Sequence, residues 1–248
     1  MLNQQTLTKL RQMKLHGMAA AFERQIEQPS NYELSFEERF GLLVDQESTT
    51  RDNRRLSRLI KEAKFKESAY LENIDYIPRR CLDKGLIASL SSCEWIKAGQ
   101  KILITGACGV GKTWIGCALG QQAIRQGLSV RYCRVPTLLE ELKLWHGDGS
   151  FPKQMATITR VDLLILDDWG LKPINAQERL DLLEIIEERH PVRATIVASQ
   201  LPVDHWHEAI GSATIADAIL DRLLEKSHRI CLKGESMRLT KSMGGSNK

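Results

Sequence analysis

Three features that mark other classes of protein are missing from this sequence. No window approaches the ~20 consecutive apolar residues of a membrane-spanning helix. The first residues, Met1 to Gln5, carry neither the basic segment nor the apolar run of a secretory signal. The six cysteines are scattered with no Cys-x-x-Cys pair, so neither a zinc knuckle nor a disulfide framework is indicated. These absences predict a cytoplasmic protein with reduced thiols and no membrane association.

The composition is that of an ordinary globular protein. Of the 248 residues, 42% are hydrophobic and 27% are charged, which excludes wholesale disorder and fibrous repeats. The length suits one domain with an appendage, or two small domains. The net charge of +4 is mild, but it is concentrated: residues 51–66 contain seven basic and two acidic side chains, and residues 222–248 contain the same numbers. Both segments are therefore candidates for nucleic-acid contacts.

Residues 1–68 are predicted to form a helical N-terminal domain that binds DNA or a partner. Ser35 to Glu38 fits a capping box that opens a helix through Val44. A second helix is predicted over 50–66, because four apolar residues recur at helical spacing: Leu56, Leu59, Ile60 and Ala63. The opposite face of this helix carries five basic residues, the candidate DNA-binding set: Arg51, Arg54, Arg55, Arg58 and Lys61.

Residues 69–248 are predicted to form a second, α/β domain. Residues 69–98 are a connector with short helices, and residues 241–248 are predicted to be a disordered tail. Between them, short apolar runs alternate with helical segments, which indicates a five-stranded parallel sheet with helices on both faces. The predicted strands are Lys101–Thr105, Ser129–Val135, Val161–Leu166, Ala194–Ser199 and Arg229–Leu232, and the predicted helices are 112–126, 137–146, 176–189, 203–209 and 215–226.

The strongest motif is a phosphate-binding loop, which follows the pattern G-x-x-x-x-G-K-[ST]. It follows an apolar strand and opens a helix, so its backbone N–H groups and the helix N-terminus are expected to surround phosphate oxygens of ATP. Lys112 is expected to reach the β- and γ-phosphates, and the Thr113 hydroxyl to bind Mg²⁺. The expected nucleotide-binding residues are Gly106, Ala107, Cys108, Gly109, Val110, Gly111, Lys112, Thr113 and Trp114, with the Trp114 side chain expected to pack in the core.

A pair of acids follows the buried strand that is predicted to end at Leu166. An acid at the end of such a strand is the Walker B arrangement, in which Asp167 is expected to hold Mg²⁺ through water. Asp168 is expected to orient and deprotonate the water that attacks ATP. Many ATPases of this kind carry glutamate at the second position, and aspartate is shorter by one methylene.

Two further polar residues are candidates for the same reaction. Gln200, beside Ser199, follows a predicted strand and is expected to orient the attacking water as sensor 1 does. Arg222, on the last predicted helix, is the candidate arginine finger for a neighbouring subunit, with Arg229 and Arg238 as rivals.

These motifs, in this order, resemble AAA+ ATPases, and above all IstB-like transposition helpers and the related helicase loader DnaC. The resemblance covers nearly the whole chain, from the segment Leu10–Met18 to Lys233–Arg238, and includes 166–170, 199–202 and 221–223. It implies a five-stranded AAA+ core without a C-terminal helical lid, since 16 residues follow the last predicted strand. It also implies assembly of several copies on double-stranded DNA with ATP, and a partner transposase.

Three functions therefore remain open. The chain is expected to be an ATP-dependent, DNA-stimulated ATPase that helps a transposase select or remodel target DNA. A helicase loader of the same fold is the first alternative. A small-molecule P-loop kinase is the second, but it would not need the paired acids, the finger arginine or the basic helix.

Overall fold

The computed structural model describes residues 2–27 and 34–237. The predicted tail at 241–248, the region where a lid would follow, and Arg238 lie outside the described residues. The chain divides into two compact units after Arg58. No helix in the described residues is long and apolar enough to cross a membrane.

The N-terminal unit is built from three helices: α1 (Leu2–Gln12), α2 (His16–Glu27) and α3 (Phe36–Ala63), the last of which continues past the unit boundary. The predicted capping box is confirmed, because Glu38 N donates to Ser35 Oγ (3.2 Å) and Ser35 N donates to Glu38 Oε2 (2.8 Å). The prediction of two helices in this region is wrong. No proline interrupts residues 36–63, so the helix continues through.

The exposed and buried faces of α3 largely match the faces that the sequence predicts. The five basic residues from Arg51 to Lys61 are all exposed, whereas Leu59 and Ala63 are buried. The prediction that Ile60 is buried is wrong, since 45% of it is exposed. The buried stripe of this segment is therefore narrower than the sequence pattern indicated.

The larger unit contains the predicted parallel sheet. Its strands are β1 (Lys101–Gly106), β2 (Val130–Arg134), β3 (Leu163–Trp169), β4 (Ala194–Ser199) and β5 (Ser227–Leu232), in the spatial order β2-β3-β4-β1-β5. All neighbouring strands pair in parallel, so their carboxyl ends lie along one edge. That edge carries the phosphate loop and the acid pair.

Helices cover both faces of this sheet, as predicted. They are α4 (Lys84–Leu90), α5 (Glu94–Lys97), α6 (Lys112–Arg125), α7 (Val135–Asp148), α8 (Phe151–Thr159), α9 (Ala176–Arg189), α10 (Trp206–Ile210) and α11 (Ala213–Leu224). Helix α8 was not predicted from the sequence. Two short 3-10 helices, Leu71–Asn73 and Pro78–Arg80, precede α4 in the connector, and a third, Val203–His205, precedes α10.

Side chains alternate between the two faces of the sheet along β3, so the strand packs against a layer of helices on each face. Ile165 faces α6, because a Cβ placed on Gly116 would lie 3.5 Å from its Cγ2. Leu164 and Leu166 point the other way and join the buried cluster that includes Leu182 of α9. Both faces of the strand are buried, which is why its sequence lacks polar alternation.

Candidate nucleotide site

The phosphate loop joins β1 to α6 at the carboxyl edge of the sheet. Gly109 and Gly111 have φ of 81° and 97°, a conformation that glycine adopts without strain. Lys112 is buried, and its Nζ donates to the carbonyl oxygens of Gly106 (2.8 Å) and Ala107 (2.7 Å). The ammonium group is thus held at the mouth of the loop, where phosphate oxygens can replace the carbonyls.

Thr113 and Asp167, the two residues expected to bind Mg²⁺, contact each other at the carboxyl edge of the sheet. Thr113 Oγ1 donates to Asp167 Oδ2 at 2.7 Å, and Asp167 is 1% exposed. Asp167 Oδ2 also accepts from the Tyr132 hydroxyl (2.7 Å), and its Oδ1 accepts from Asp168 N (2.9 Å). Burial, together with the bond to Asp167, raises the pKa of Tyr132, so Tyr132 remains a donor at neutral pH.

This pair of oxygens has the right chemistry for Mg²⁺, which prefers carboxylate and hydroxyl oxygens completed by phosphate and water. No group of three or more His, Cys, Asp or Glu side chains that could hold a metal alone occurs in the described part of the chain. Thr113 and Asp167 are the residues that would hold a magnesium ion here, together with phosphate oxygens and water.

Asp168 lies inside β3, whereas the strand was predicted to end before the acid pair. The strand continues to Trp169 and contains an irregularity between Leu166 and Trp169, where Asp168 adopts φ of 59°. A bulge of this kind turns a side chain away from the regular alternation. The carboxylate of Asp168 accepts from Arg134 Nε at 2.7 Å, and this bond raises the pKa of Arg134.

Gln200 directly follows β4 and is exposed. Because β4 lies between β1 and β3, this position stands between the phosphate loop and the acid pair. Its neighbour Ser199 has a structural role instead: the buried hydroxyl donates to Trp169 O (2.7 Å) and accepts from Leu201 N (3.0 Å). The assignment of Gln200 to the attacking water stays a prediction.

Arg222 lies at the opposite edge of the sheet. It is in the last turn of α11, just before β5, and β5 begins beside the first residue of β1. The strand β1 separates it from the phosphate loop by roughly 16 Å, at ~3.3 Å per residue. Arg222 Nη2 contacts Glu187 Oε1 (2.6 Å), and the assignment of Arg222 as an arginine finger stays a prediction.

The remaining predicted residues differ in their exposure. Ala107 and Cys108 are exposed at the crest of the loop, and Val110 is buried. Trp114 is half-buried, so the prediction that it packs in the core is only partly right. Arg229, the described rival of Arg222, is exposed on β5.

The basic surface of α3 consists of Arg51, Arg54, Arg55 and Arg58, which line one shallow depression together with Asp52. Lys61 is exposed further along the helix. Arg51 Nε donates to Glu47 Oε1 at 2.7 Å. The pattern of exposure suits contacts to a polyanion.

Three site residues were missed by the sequence analysis. Tyr132 and Arg134 lie near the end of β2, which pairs with β3. The sequence could have indicated them, because they are polar residues at the end of a predicted strand. Arg80 comes from the connector, and its Nη2 donates to Val110 O of the phosphate loop at 3.1 Å. No local pattern marked Arg80, since this contact spans 30 residues.

Fold and site together define a P-loop ATP-binding protein of the AAA+ class. Solved structures share this fold: one of DnaI (TM-score 0.58, 21% identity, covering 67% of this chain and 92% of that one) and one of the DnaC helicase loader (TM-score 0.57, 19% identity, 69% and 100%). A replication initiator DnaA bound to AMPPCP and single-stranded DNA is similar at TM-score 0.57 with 18% identity, covering 73% of this chain and 56% of that one.

Sequence comparison narrows the class to a family. The family described as IstB-like ATP binding protein matches residues 8–244, and the chain belongs to it. An insertion sequence ATP-binding protein of Sinorhizobium fredii is 48% identical over 96% of this chain and 97% of its own length. Relatives from insertion sequences of Pseudomonas fluorescens (52% identical, 82% and 88% covered) and Mycobacterium tuberculosis (30%, 95% and 94%) are similar as well.

Proposed function

We propose that this chain is a DNA-stimulated ATPase that assembles on double-stranded DNA with ATP and helps a transposase select or remodel its target. The observation that carries the proposal is the contact of Thr113 with buried Asp167 beside a complete phosphate loop. The names of the relatives place them in insertion sequences, which supports transposition as the setting. ATP and DNA are both available in the cytoplasm, where we place the reaction.

The geometry of the nucleotide site supports a role in ATP hydrolysis for each of the following residues. Loop N–H groups and Lys112 bind the phosphates, and Thr113 with Asp167 would hold Mg²⁺, which neutralises charge on the β- and γ-phosphates when bound. Asp168 orients the attacking water and accepts its proton, and Gln200 helps to place that water. Because Asp168 is bonded to Arg134, it must loosen this contact before it can act as the base.

Turnover is completed by a neighbouring subunit. Arg222 is too far from its own loop, and its surface position lets it approach the γ-phosphate bound by another copy. A finger supplied in trans stabilises charge that develops in the transition state. Hydrolysis would then depend on assembly, and DNA that promotes assembly would stimulate it.

The DNA is bound through its phosphates by the basic surface of α3. Exposed arginines on one helix face neutralise the backbone charge of a duplex and release counterions. Contacts of this kind carry no base information. The chain would therefore bind DNA with little sequence preference and leave the choice of site to the transposase and to DNA shape.

A helicase loader is the alternative that a specific observation favours, because the fold is shared with a structure of the DnaC helicase loader. That likeness covers 69% of this chain, and in a loader the N-terminal unit would bind a replicative helicase. A stand-alone kinase is disfavoured by the acid pair and the basic helix.

The test measures ATP hydrolysis with and without double-stranded DNA, for the wild type, Lys112→Ala and the control Lys97→Ala. Lys97 is an exposed lysine that pairs with Glu94, away from the loop. We expect DNA to raise turnover in the wild type and the control, and Lys112→Ala to bind no ATP. DNA insertion by the cognate transposase should then require ATP and this chain. A rate of ATP hydrolysis that does not change when DNA is added would contradict the proposal. Selective binding of this chain to a replicative helicase would contradict it as well.

A further inference from the structure

The segment that follows β5, residues 233–237, lies against the crest of the phosphate loop. Met237 N donates to the carbonyl oxygen of Gly109 at 3.0 Å. A Cβ placed on Gly109 would lie 2.1 Å from Ser236 Oγ, so the two segments are in direct contact. Residues 233–237, the described part of the Lys233–Arg238 motif, therefore lie beside the nucleotide site. The chemistry of ATP hydrolysis alone gives these residues no role.

The connector supports the same loop from another direction. Arg80 is 6% exposed, and its Nη2 donates to the carbonyl oxygen of Val110 at 3.1 Å. Its Nη1 donates to Asp75 O at 2.9 Å, which fixes the guanidinium. A Cβ placed on Gly111 would lie 2.6 Å from Arg80 Nη2, so the arginine packs directly against the loop.

These two supports are joined to each other. Lys233 N donates to the carbonyl oxygen of Arg80 at 3.2 Å. The connector and the segment after β5 therefore form one structure, which we name the loop clasp: Arg80 and residues 233–237. It holds the carbonyls of two consecutive loop residues, Gly109 and Val110.

Peptide geometry gives this arrangement a consequence for ligand binding. In a trans peptide the C=O and the following N–H point in opposite directions. Holding the carbonyls of Gly109 and Val110 outward therefore turns the N–H groups of Val110 and Gly111 toward the inside of the loop. Inward N–H groups are what a phosphate oxygen requires. The buried positive charge of Arg80 adds to the attraction for an anion.

We propose that the loop clasp preorganises the phosphate loop, with Arg80 as a positioning residue for the β- and γ-phosphates of a bound nucleotide. The inference rests on the proposed nucleotide site and extends it to the family motif after β5. The clasp acts on the loop before and during hydrolysis alike, so it contributes uniform binding. Its loss should raise KM for ATP and leave kcat nearly unchanged.

The experiment compares two pairs of variants in the full chain. Arg80→Met removes the donors and keeps the side-chain length, and Arg80→Lys keeps the charge with a single ammonium donor. A stop after Lys233 removes the Gly109 contact, and its matched control, a stop after Arg238, removes only residues 239–248. Readouts are KM and kcat for DNA-stimulated hydrolysis, equilibrium ATP binding, and hydrogen exchange of the peptide that contains the loop.

We expect KM to rise about tenfold for Arg80→Met, the size of one charge-assisted hydrogen bond, with partial recovery in Arg80→Lys. The stop after Lys233 should raise KM similarly, and the stop after Arg238 should leave it unchanged. Without nucleotide, the loop amides should exchange faster in Arg80→Met and in the shorter chain, while those of β3 and β4 stay protected. If Arg80→Met does not fold, the two stops decide the question.

Two results would overturn the inference, and they are distinguishable from failure of the function itself. Wild-type KM in both Arg80→Met and the chain ending at Lys233 refutes the clasp alone, provided that Lys112→Ala has lost ATP binding. A fall in kcat at constant KM also refutes it, because it would place the contacts in the transition state. If the wild type binds no ATP, the clasp and the proposed function fall together.

Discussion

Replacing Arg54, Arg55 and Arg58 by alanine should separate DNA binding from ATP binding. All three side chains are exposed on α3, and they line the same depression. If each contacts one phosphate, the slope of log K against log salt should become shallower by about 2.7, at ~0.9 per contact. Between 50 and 200 mM salt the wild type should then lose about 40-fold more affinity than the variant.

The assay is fluorescence anisotropy with two duplexes of unrelated sequence over that range of salt. A matched control replaces three exposed cations of the larger unit, Lys143, Lys153 and Arg160, which changes the net charge by the same amount. The control should retain the wild-type slope. The triple variant should lose affinity for both duplexes equally and keep its Tm, because substitutions of exposed charges rarely change stability by more than ~0.5 kcal/mol each.

Arg51 is left out of the triple variant because it contributes to the fold. It pairs with Glu47, which is 7% exposed and also accepts from Gly17 N (2.7 Å) and Met18 N (3.1 Å) at the start of α2. Burial raises the pKa of Glu47, but the bonds from Arg51, Met18 and Gly17 outweigh it and leave the pKa below its ordinary value.

An unchanged salt slope in the triple variant would refute the assignment of the DNA-binding surface. Unfolding of the triple variant would refute the assignment of the exposed and buried faces of α3.

The other predictions concern the nucleotide site and the acid stability of the N-terminal unit. Lys112→Ala should abolish tight ATP binding at unchanged Tm, and labelled ATP bound as in the wild type would show that the loop assignment is wrong. Asp168→Asn should bind ATP but hydrolyse it at least ~10²-fold more slowly, the loss expected for a general base, so undiminished hydrolysis would move the base elsewhere. Arg222→Ala should hydrolyse poorly alone and regain activity when mixed with Asp168→Asn subunits; no recovery in confirmed mixed assemblies would count against action in trans. Because the pKa of Glu47 is lower in the folded chain than in the unfolded chain, ionised Glu47 stabilises the fold at pH values above its unfolded pKa. The N-terminal unit should lose this stability as the pH falls from the unfolded pKa through the folded pKa of Glu47. Glu47→Gln should flatten this pH dependence in acid unfolding followed by circular dichroism.

The sequence by itself determined the elements whose causes are local. The capping box at Ser35 and the phosphate loop were predictable because their hydrogen bonds join residues a few positions apart. The strands were predictable because burial on both faces leaves continuous apolar runs, such as Leu163 to Leu166. Local patterns failed at boundaries: nothing in the sequence showed that β3 continues through Asp167 and Asp168 to Trp169.

The tertiary structure decided which of these residues meet. Thr113 and Asp167 are 54 positions apart, and they touch because parallel strands bring their carboxyl ends to one edge. The bond of Arg134 to Asp168, the hold of Arg80 on Val110 and the contact of Met237 with Gly109 depend likewise on the order of the strands and on how the connecting segments lie across their ends. Such contacts leave no periodic signal, since each joins two single residues through space. The sequence motifs therefore identify the reactive residues of the site. Only the packing of the chain determines which other residues position them.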